Sequence, residues 1–369
     1  SISATEWATR FYALALGQQV AFSLPDVSAW LKQHTNEVDV LAKLQGEGLT
    51  DDTPWLQRQM ENQQRTKNLK RLFDEEWNAA NRITALGKLK DLQREDGAWS
   101  WYPGMPGNDY ITTDVAILLA RIDRLTPNDE GKQLLLKALA YLKKQTAKQV
   151  KQMEQAEKRS GHKRAPTELQ LRYLYLLTLV NEKADHNVDF ILQRMALCRR
   201  ELTMYGKALS AICLDYFKQK AESELTLQSL MEYTVASPEK GRWFNTPRAE
   251  WSWNAYRIPT QCAAIEALTH FDREADAHAL RLWLLQAKRT QMWETSRATA
   301  DAVYALLSDG MALTESGQMQ AVAGNVTLET PKDGLGCISH TLSGAEAEMK
   351  TLTVSHTGKA AGWGAVYAQ

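Results

Sequence analysis

Apolar residues recur at steps of three and four from residue 4 to about residue 308. Clear examples are "LQLRYLYLLTLV" at 169–180 and "TQCAAIEALTHF" at 260–271. This spacing is typical of helices with a buried face. Polar breaks such as "SPEKGR" at 237–242 cut the pattern into short pieces, which predicts many antiparallel helices and not a few long ones.

The pattern changes after "SDGMALTESG" at 308–317. The stretches "AVAGNVTLETP" and "KTLTVSHTG" alternate apolar and polar residues, are rich in Val and Thr, and are separated by turns that contain Gly. These features indicate β-strands. We therefore expect a helical domain over residues 1–309 and a β module over residues 310–369, which is too short for a complete β-sandwich.

A tryptophan-containing turn precedes a helix of small residues three times, at 96–122, 249–268 and 290–307. In each copy a Thr or Ser lies before or within the first helical turn, where its hydroxyl can satisfy free backbone N–H groups. Self-similar hairpins that cannot bury their own apolar faces must pack beside their neighbours. The repeat predicts a mainly α fold of the α/α toroid type, with inner helices surrounded by outer ones, followed by a partial β-sandwich-like segment.

Composition and charge exclude several classes of protein. Lys and Arg together number 44, as do Asp and Glu, so the formal net charge is zero. Such a chain has no overall field that would attract nucleic acid or an anionic membrane. The chain also lacks an apolar run of about 18 residues, the length that a membrane span needs. We therefore expect neither a nucleic-acid partner nor a membrane span in this segment.

The metal-binding residue types do not form a pattern. The four cysteines, Cys198, Cys213, Cys262 and Cys337, are far apart, and the first three lie in apolar helical segments. They read as buried free thiols. The seven histidines contain no pair four residues apart on a helix, so no metal site and no cofactor is expected.

The basic segment at 143–165 allows two interpretations. It could bind an anion or a polymer, or it could be a solvated helix end followed by a loop. Aromatic residues do not alternate with its charges, which favours the second interpretation.

The loop of the first repeat holds the best candidate for a binding surface. In a toroid such loops border the mouth of the central cavity, where Trp99, Trp101 and Tyr102 could stack on a sugar or a terpene, with Asp109 or Asp114 as an acid. Alternatively, the tryptophans fill the gap between helix ends and Asp114 stabilises a helix start. A glycosidase needs two carboxylates at a defined separation, and the spacing of the acidic residues singles out no such pair.

Other catalytic motifs are missing from the sequence. It contains neither the nucleophile motif G-x-S-x-G nor the phosphate-binding motif G-x-x-x-x-G-K-[ST], and no Cys has an evident His partner.

Four stretches of the sequence resemble segments of a known protein family, and they occur in the order found in that family. "LQREDGAWSWYPGMPGNDYITTDVAILLARI" resembles the Q-x-x-D-G-x-[FW]-[SP] turn and helix of the thioester-containing domain of α2-macroglobulins and complement-like proteins. The segment 51–74 is similar to one in large α2-macroglobulin-like proteins of Bacteroides-type bacteria. "WETSRATADAVYALL" at 293–307 is similar to the last hairpin of that domain, and "AAGWGAVYAQ" at 360–369 resembles the β segment after it.

The resemblance also gives the first residues a meaning. Thioester members of the family carry C-x-E-Q at a helix start, with a Phe eight residues after the Cys. Counting back from Phe11 puts Ser3 at the Cys position, with Ala4, Thr5 and Glu6 completing the motif. A serine hydroxyl is a far poorer nucleophile than a thiol, and a carboxylate resists attack. The resemblance therefore implies a degenerate thioester site.

The family resemblance implies the domain of a bacterial, exported α2-macroglobulin-like protein, periplasmic or at the cell surface, that takes part in noncovalent protease trapping. Its expected partners are proteases and the neighbouring macroglobulin-type β domains of the same chain, and it is expected not to be an enzyme. Two alternatives stay open: an α/α-toroid glycoside hydrolase or polysaccharide lyase that uses the Trp99–Asp109 loop, and a purely structural scaffold.

Overall fold

The structure is a computed structural model that describes residues 2–23, 70–126, 129–245, 257–290, 295–307, 318–328 and 351–357, with a few isolated positions elsewhere. The chain divides into two compact units. The first comprises Ser1–Ala13 and Ile83–Asp309, and the second comprises Leu14–Arg82 and Gly310–Gln369.

Helices dominate the described part of the chain. They are α1 (Ala4–Ser23), α2 (Glu75–Leu92), α3 (Asp109–Leu125), α4 (Lys132–Ser160), α5 (Glu168–Leu179), α6 (His186–Leu197), α7 (Met204–Tyr216), α8 (Lys220–Met231), α9 (Arg257–His270), α10 (Glu274–Thr290) and α11 (Ser296–Leu307). A short 3-10 helix, Arg199–Glu201, lies between α6 and α7. None of these helices is long and apolar enough to cross a membrane.

The odd-numbered helices form an inner layer in the first unit. Helix α3 packs on α5, α5 on α7, α7 on α9, and α9 on α11. The hydroxyl of Tyr12 in α1 donates to the carbonyl oxygen of Ala300 in α11, at 3.2 Å, which joins α1 to the last inner helix. The inner helices are buried along most of their length, and Ala263, Ala264, Ala298 and Ala302 let them approach closely.

Helices α4, α8 and α10 cover this inner layer from outside. Helix α4 packs on α3, α8 on α7, and α10 on α9. Two concentric layers of alternating helices define an α/α toroid, so the mainly α fold predicted from the repeat is confirmed.

Short strands complete both units. In the first unit β1 (Thr234–Ser237) and β2 (Gly241–Phe244) form an antiparallel hairpin, with Thr234 opposite Phe244. In the second unit β3 (Gln318–Ala323) lies between β4 (Val326–Leu328) and β5 (Leu352–Thr357), antiparallel to both. The predicted partial sheet segment is confirmed, while the domain limits 1–309 and 310–369 stay a prediction.

Side-chain caps fix where several helices begin. An oxygen of the residue before the helix accepts a hydrogen bond from a backbone N–H in the first turn, which satisfies a donor that the helix leaves free. These caps are Asn108 for α3, Thr167 for α5, Asp185 for α6 and Thr203 for α7. Thr167 and Gln170 form a reciprocal capping box.

Several of the sequence features lie wholly or partly outside the described residues. The tryptophan turns before α9 and α11 and the segments 51–63 and 358–365 are among them. The basic segment 143–165 is described, and most of it belongs to α4, which ends at Ser160 before Gly161 in the left-handed conformation. A helix end followed by an exposed loop matches the second of its two interpretations.

Candidate functional site

Charged and tyrosine side chains of the inner helices meet at the centre of the toroid. We call this group the axial cluster; its members are Tyr12, Tyr110, Asp114, Arg121, Glu168, Arg172, Tyr175, Tyr205, Glu266, Arg297, Asp301 and Tyr304. Residues near the helix N-termini contact one another, and residues near the helix centres contact one another. The inner helices therefore run in the same direction, as an α/α toroid requires.

Arg121 organises the middle of the axial cluster. Its guanidinium donates to Asp301 Oδ1 at 2.5 Å and to Glu266 Oε1 at 3.2 Å. The hydroxyl of Tyr175 accepts from Arg121 at 3.2 Å and donates to the other oxygen of Glu266 at 2.5 Å. The ring of Tyr304 lies under the guanidinium, 4.5 Å from ring centre to Cζ. These contacts satisfy a charge that burial would otherwise strongly disfavour.

A second group lies nearer to the helix N-termini. An oxygen of Asp114 lies 2.5 Å from Arg172 Nη2 and 3.9 Å from Arg297 Nη1. The hydroxyl of Tyr110 accepts a hydrogen bond from Arg297, and both guanidinium groups lie over the Tyr110 ring. Asp301 Oδ2 also lies 3.9 Å from Arg297 Nε, so Arg172 has a close carboxylate partner and Arg297 has two more distant ones.

Burial changes the pKa of the acidic groups of the axial cluster. Burial raises the pKa of Glu266, against the effect of Arg121. Burial also raises the pKa of Glu168 to about 7. A carboxylic acid with such a pKa can change its charge near neutral pH, which is a property that functional sites and structural ion pairs share.

The free space beside Arg121 is small. A cavity of about 10 Å³, roughly the room that one water molecule needs, lies between Arg121, Tyr205, Cys262, Glu266 and Asp301. The centre of the toroid is therefore a packed polar core at this level, without room for a sugar ring.

Ser3 and Glu6, two of the predicted thioester positions, form a capping box at the start of α1. The backbone N–H of Ser3 donates to Glu6 Oε2 at 2.9 Å, and the backbone N–H of Glu6 approaches Ser3 Oγ at 3.3 Å. The hydrogen bond from the Ser3 backbone is the main reason why the pKa of Glu6 is lowered. Ala4 and Thr5, between them, lie in the first turn of α1.

Trp99 takes a structural place. Its side chain is 0% exposed, its indole N–H donates to the carbonyl oxygen of Leu89 at 2.9 Å, and its backbone N–H donates to Thr112 Oγ1 at 3.0 Å. The expected ligand surface therefore does not include Trp99, because its ring fills the space between helix ends. This is the structural alternative given above for the tryptophans.

The other members of the loop differ in exposure and in the residues that they contact. Trp101 and Tyr102 are 51% and 59% exposed, and Trp101 stacks on Tyr110 with 6.3 Å between ring centres. Asp109 accepts hydrogen bonds from the Tyr141 hydroxyl at 2.8 Å and from Gln149 Nε2 at 3.1 Å, both on α4. The carbohydrate hypothesis then depends on Trp101 and Tyr102, with the carboxylate of Asp109 already engaged.

The cysteines behave as expected where they are described. Cys198, Cys213 and Cys262 are buried free thiols, and burial raises the pKa of each. Cys337 lies outside the described residues. Among the residues that the structure describes, no group of three or more His, Cys, Asp or Glu side chains could hold a metal ion.

The sequence analysis noted Asp114 but missed the rest of the axial cluster. A usable signal was present: Arg121 and Arg172 each stand within an apolar helical run, "AILLARI" and "LQLRYLYLL". A charged residue on a face that must be buried implies a buried partner. The identity of that partner was not encoded locally, since Asp301 lies 180 residues from Arg121 along the chain.

Comparisons with known proteins bear on this α/α toroid with a polar centre. No family model matches the chain, and no curated protein matches it in sequence. A solved structure of Escherichia coli α2-macroglobulin, from domain MG7 to the C-terminus, is similar at 11% identity and a TM-score of 0.44, covering 76% of this chain and 39% of that one.

Two further solved structures resemble the chain at the same level. Salmonella α2-macroglobulin reacted with methylamine is similar at 13% identity and a TM-score of 0.46, with 96% of this chain and 19% of that one covered. Trypsin-activated E. coli α2-macroglobulin is similar at 10% identity and a TM-score of 0.45, with 78% and 18% covered. The chain thus spans less than two-fifths of these proteins, and likeness at this level does not by itself establish the family.

Proposed function

We propose that this chain is a thioester-type α/α-toroid domain, without a working thioester, from a bacterial, exported α2-macroglobulin-like protein. In its parent protein it serves noncovalent protease trapping, in the periplasm or at the cell surface. The domain acts as an interaction and packing element and catalyses nothing itself. Its partners are proteases, met through the full-length protein, and neighbouring macroglobulin-type β domains of the same chain. The division into a toroid over 1–309 and a β module over 310–369 belongs to this proposal.

The capping box at the start of α1 carries the proposal. Ser3 and Glu6 stand where the resemblance puts the thioester Cys and Gln, and their side chains serve to begin a helix. Ser3 Oγ lies 3.3 Å from Glu6 Oε2, within hydrogen-bond distance. A hydroxyl beside an ionised carboxylate cannot form an ester without an activated acyl group. The local chemistry therefore supports a domain that acts without acylating its target.

The toroid itself adds support of a weaker kind. Folds of this type host unrelated functions, so the fold alone does not choose among them. The order of the motifs, from the D-G-x-W turn to the hairpin that ends in α11, is what relates this toroid to the thioester domains.

The loss of the thioester can be tested on the full-length protein. The protein is incubated with methylamine, with and without a protease, and the tryptic peptide that ends at Arg10 is weighed by mass spectrometry. We expect an unchanged mass in both conditions. Incorporation of the amine at residues 3–6 would refute the proposal of a degenerate site.

The trapping role needs a separate measurement. Small-angle scattering and native electrophoresis of the full-length protein, before and after limited proteolysis, report whether cleavage compacts the molecule and whether the protease stays with it. Noncovalent trapping predicts compaction and a protease that is released by denaturant. If cleavage leaves the shape unchanged and no protease is retained, the scaffold alternative replaces the trapping proposal.

A further inference from the structure

We propose that the axial cluster binds a small oxyanion, either a carboxylate or a tetrahedral anion of the phosphate and sulfate type, between the guanidinium groups of Arg172 and Arg297. The inference is independent of protease trapping, because it follows from the contacts of the two arginines alone.

Both guanidinium groups have buried donors without acceptors. The side chain of Arg172 is 4% exposed, and its Nε and Nη1 atoms make no hydrogen bond. The side chain of Arg297 is 16% exposed, and its Nε and Nη2 atoms make none either. A buried donor without an acceptor destabilises the fold, because it loses its hydrogen bonds to water and gains none in return. Four such nitrogen atoms in one place indicate a missing acceptor.

The charges around these donors favour an anion. The two guanidinium groups repel each other, and each opposes the rise that burial causes in the pKa of Glu168. Asp114 forms an ion pair with Arg172 at 2.5 Å and stays 3.9 Å from Arg297. Asp301 also lies 3.9 Å from Arg297 Nε, so both carboxylates are beyond hydrogen-bond distance of Arg297. An oxyanion can accept from two guanidinium groups at once, and its charge offsets their mutual repulsion.

The position of the site in the fold also suits an anion. Arg172 lies in the second turn of α5 and Arg297 at the start of α11, so both are near helix N-termini, where the helix dipoles favour negative charge. The Tyr110 ring, which contacts both arginines, stacks on the exposed Trp101. The site therefore lies one aromatic layer below exposed side chains at that end of the toroid.

The charge of Glu168 should control how strongly the two arginines attract an anion. Its Oε1 atom is buried and makes no hydrogen bond. The charged and titratable groups that face it are Asp114, Tyr110, Arg172, Tyr205 and Arg297. When Glu168 is protonated, it does not offset the positive charge of the two guanidinium groups, and when it ionises, its negative charge repels an incoming anion. Oxyanion binding should therefore be tighter at pH 6 than at pH 8.

Isothermal titration calorimetry tests the site directly. Sulfate and acetate are titrated separately into the protein at pH 6 and pH 8, in chloride buffers of constant ionic strength. Both anions keep their charge over this range, so any pH dependence belongs to the protein. Tighter binding of sulfate assigns the site to tetrahedral anions, and tighter binding of acetate assigns it to carboxylates.

Two variants and a matched control make the result specific. Arg297→Gln should weaken binding about tenfold or more, since it removes charge-assisted hydrogen bonds. Glu168→Gln should tighten binding at pH 8 and abolish the difference between the two pH values. Arg194→Gln, which removes a buried arginine paired with Glu157 elsewhere in the toroid, should leave binding unchanged.

The outcomes separate cleanly. Circular dichroism checks that each variant folds. If Arg297→Gln does not fold, the pH dependence of binding and the effect of Glu168→Gln test the proposal instead. Absence of binding to the unaltered protein at both pH values overturns the proposal and leaves water as the acceptor. Binding that neither Arg297→Gln nor Glu168→Gln changes, or that Arg194→Gln weakens equally, overturns it as well.

Discussion

Replacing Arg121 by Met tests the axial cluster most severely. Met keeps much of the length of the side chain but removes the guanidinium. Three polar partners then lose their donor: Asp301, at 2.5 Å, and Glu266 and Tyr175, both at 3.2 Å. The change leaves two carboxylates without their common counter-charge in the middle of the toroid.

The burial of these partners sets the expected magnitude. The side chains of Glu266 and Asp301 are 9% and 12% exposed, so water cannot replace the lost cation. Removing one partner of a buried ion pair typically costs about 3–5 kcal/mol. Arg94→Met, the same substitution in an ion pair with Asp96 whose side chains are 42% and 49% exposed, should cost about 1 kcal/mol or less.

Urea unfolding followed by far-ultraviolet circular dichroism measures both variants, because the helical signal comes mainly from the toroid. A difference of about 3 kcal/mol between Arg121→Met and Arg94→Met is expected, with unchanged dependence on urea concentration. The effect also depends on pH. Burial raises the pKa of Glu266 above its unfolded value, so the folded state holds a proton that the unfolded state releases. The folded state therefore loses stability as the pH rises from the unfolded pKa to the folded pKa of Glu266.

Without Arg121 the pKa of Glu266 should rise further, because the cation that opposes the effect of burial is gone. The deficit of Arg121→Met should therefore shrink when the pH is lowered from 7 to 5. Equal costs for the two variants, or a deficit that does not change with pH, would show that the carboxylates find other compensation and that the axial cluster is not a coupled network.

Three further predictions follow from single sites. Gly97 and Gly104 both have positive φ values, 92° and 87°. A Cβ atom at Gly97 would lie 2.2 Å from a backbone oxygen, whereas nothing lies within 4 Å at Gly104. Gly97→Ala should therefore be less stable than Gly104→Ala by about 1–3 kcal/mol in urea unfolding, and equal losses would contradict the packing of this turn. Ser3→Ala should cost about 1 kcal/mol through the loss of the helix cap and speed hydrogen exchange in the first turn of α1, whereas unchanged exchange would rule out the capping box. The pKa of Glu157 is lowered to about 2, mainly by hydrogen bonds from Arg194, so ionised Glu157 stabilises the fold above its unfolded pKa and loses this effect as the pH falls. Glu157→Gln should therefore make stability depend less on pH between pH 4.5 and pH 2. An unchanged acid transition would argue against the ion pair between Glu157 and Arg194.

Local chemistry decided a large part of this structure. The helical period, the short polar breaks and the cap residues are properties of neighbouring residues, and the helices begin where Asn108, Thr167 and Thr203 can accept a hydrogen bond. Ser3 and Glu6 are three residues apart, the spacing of a capping box, so their hydrogen bonds could be expected from the sequence. The repeat of hairpins, which cannot bury their own faces, was enough to predict the toroid.

The loop of the first repeat shows where local reasoning stops. Trp99 and Trp101 are separated by one residue, yet the first is fully buried and the second is half exposed. Nothing in the sequence around them distinguishes a ring that fills the gap between helix ends from one that faces solvent. The tertiary structure makes that choice, because it places the carbonyl oxygen of Leu89, at the end of α2, 2.9 Å from the indole nitrogen of Trp99.

The sequence by itself determined the helical period and the residues that can begin a helix, because those depend on contacts within a few residues. Only the tertiary structure decided the centre. Arg121 meets Glu266 and Asp301 across 145 and 180 residues of chain, and those meetings depend on how far each inner helix is rotated about its own axis. The neighbouring helices fix that rotation together, so the axial cluster forms only when all the inner helices are packed.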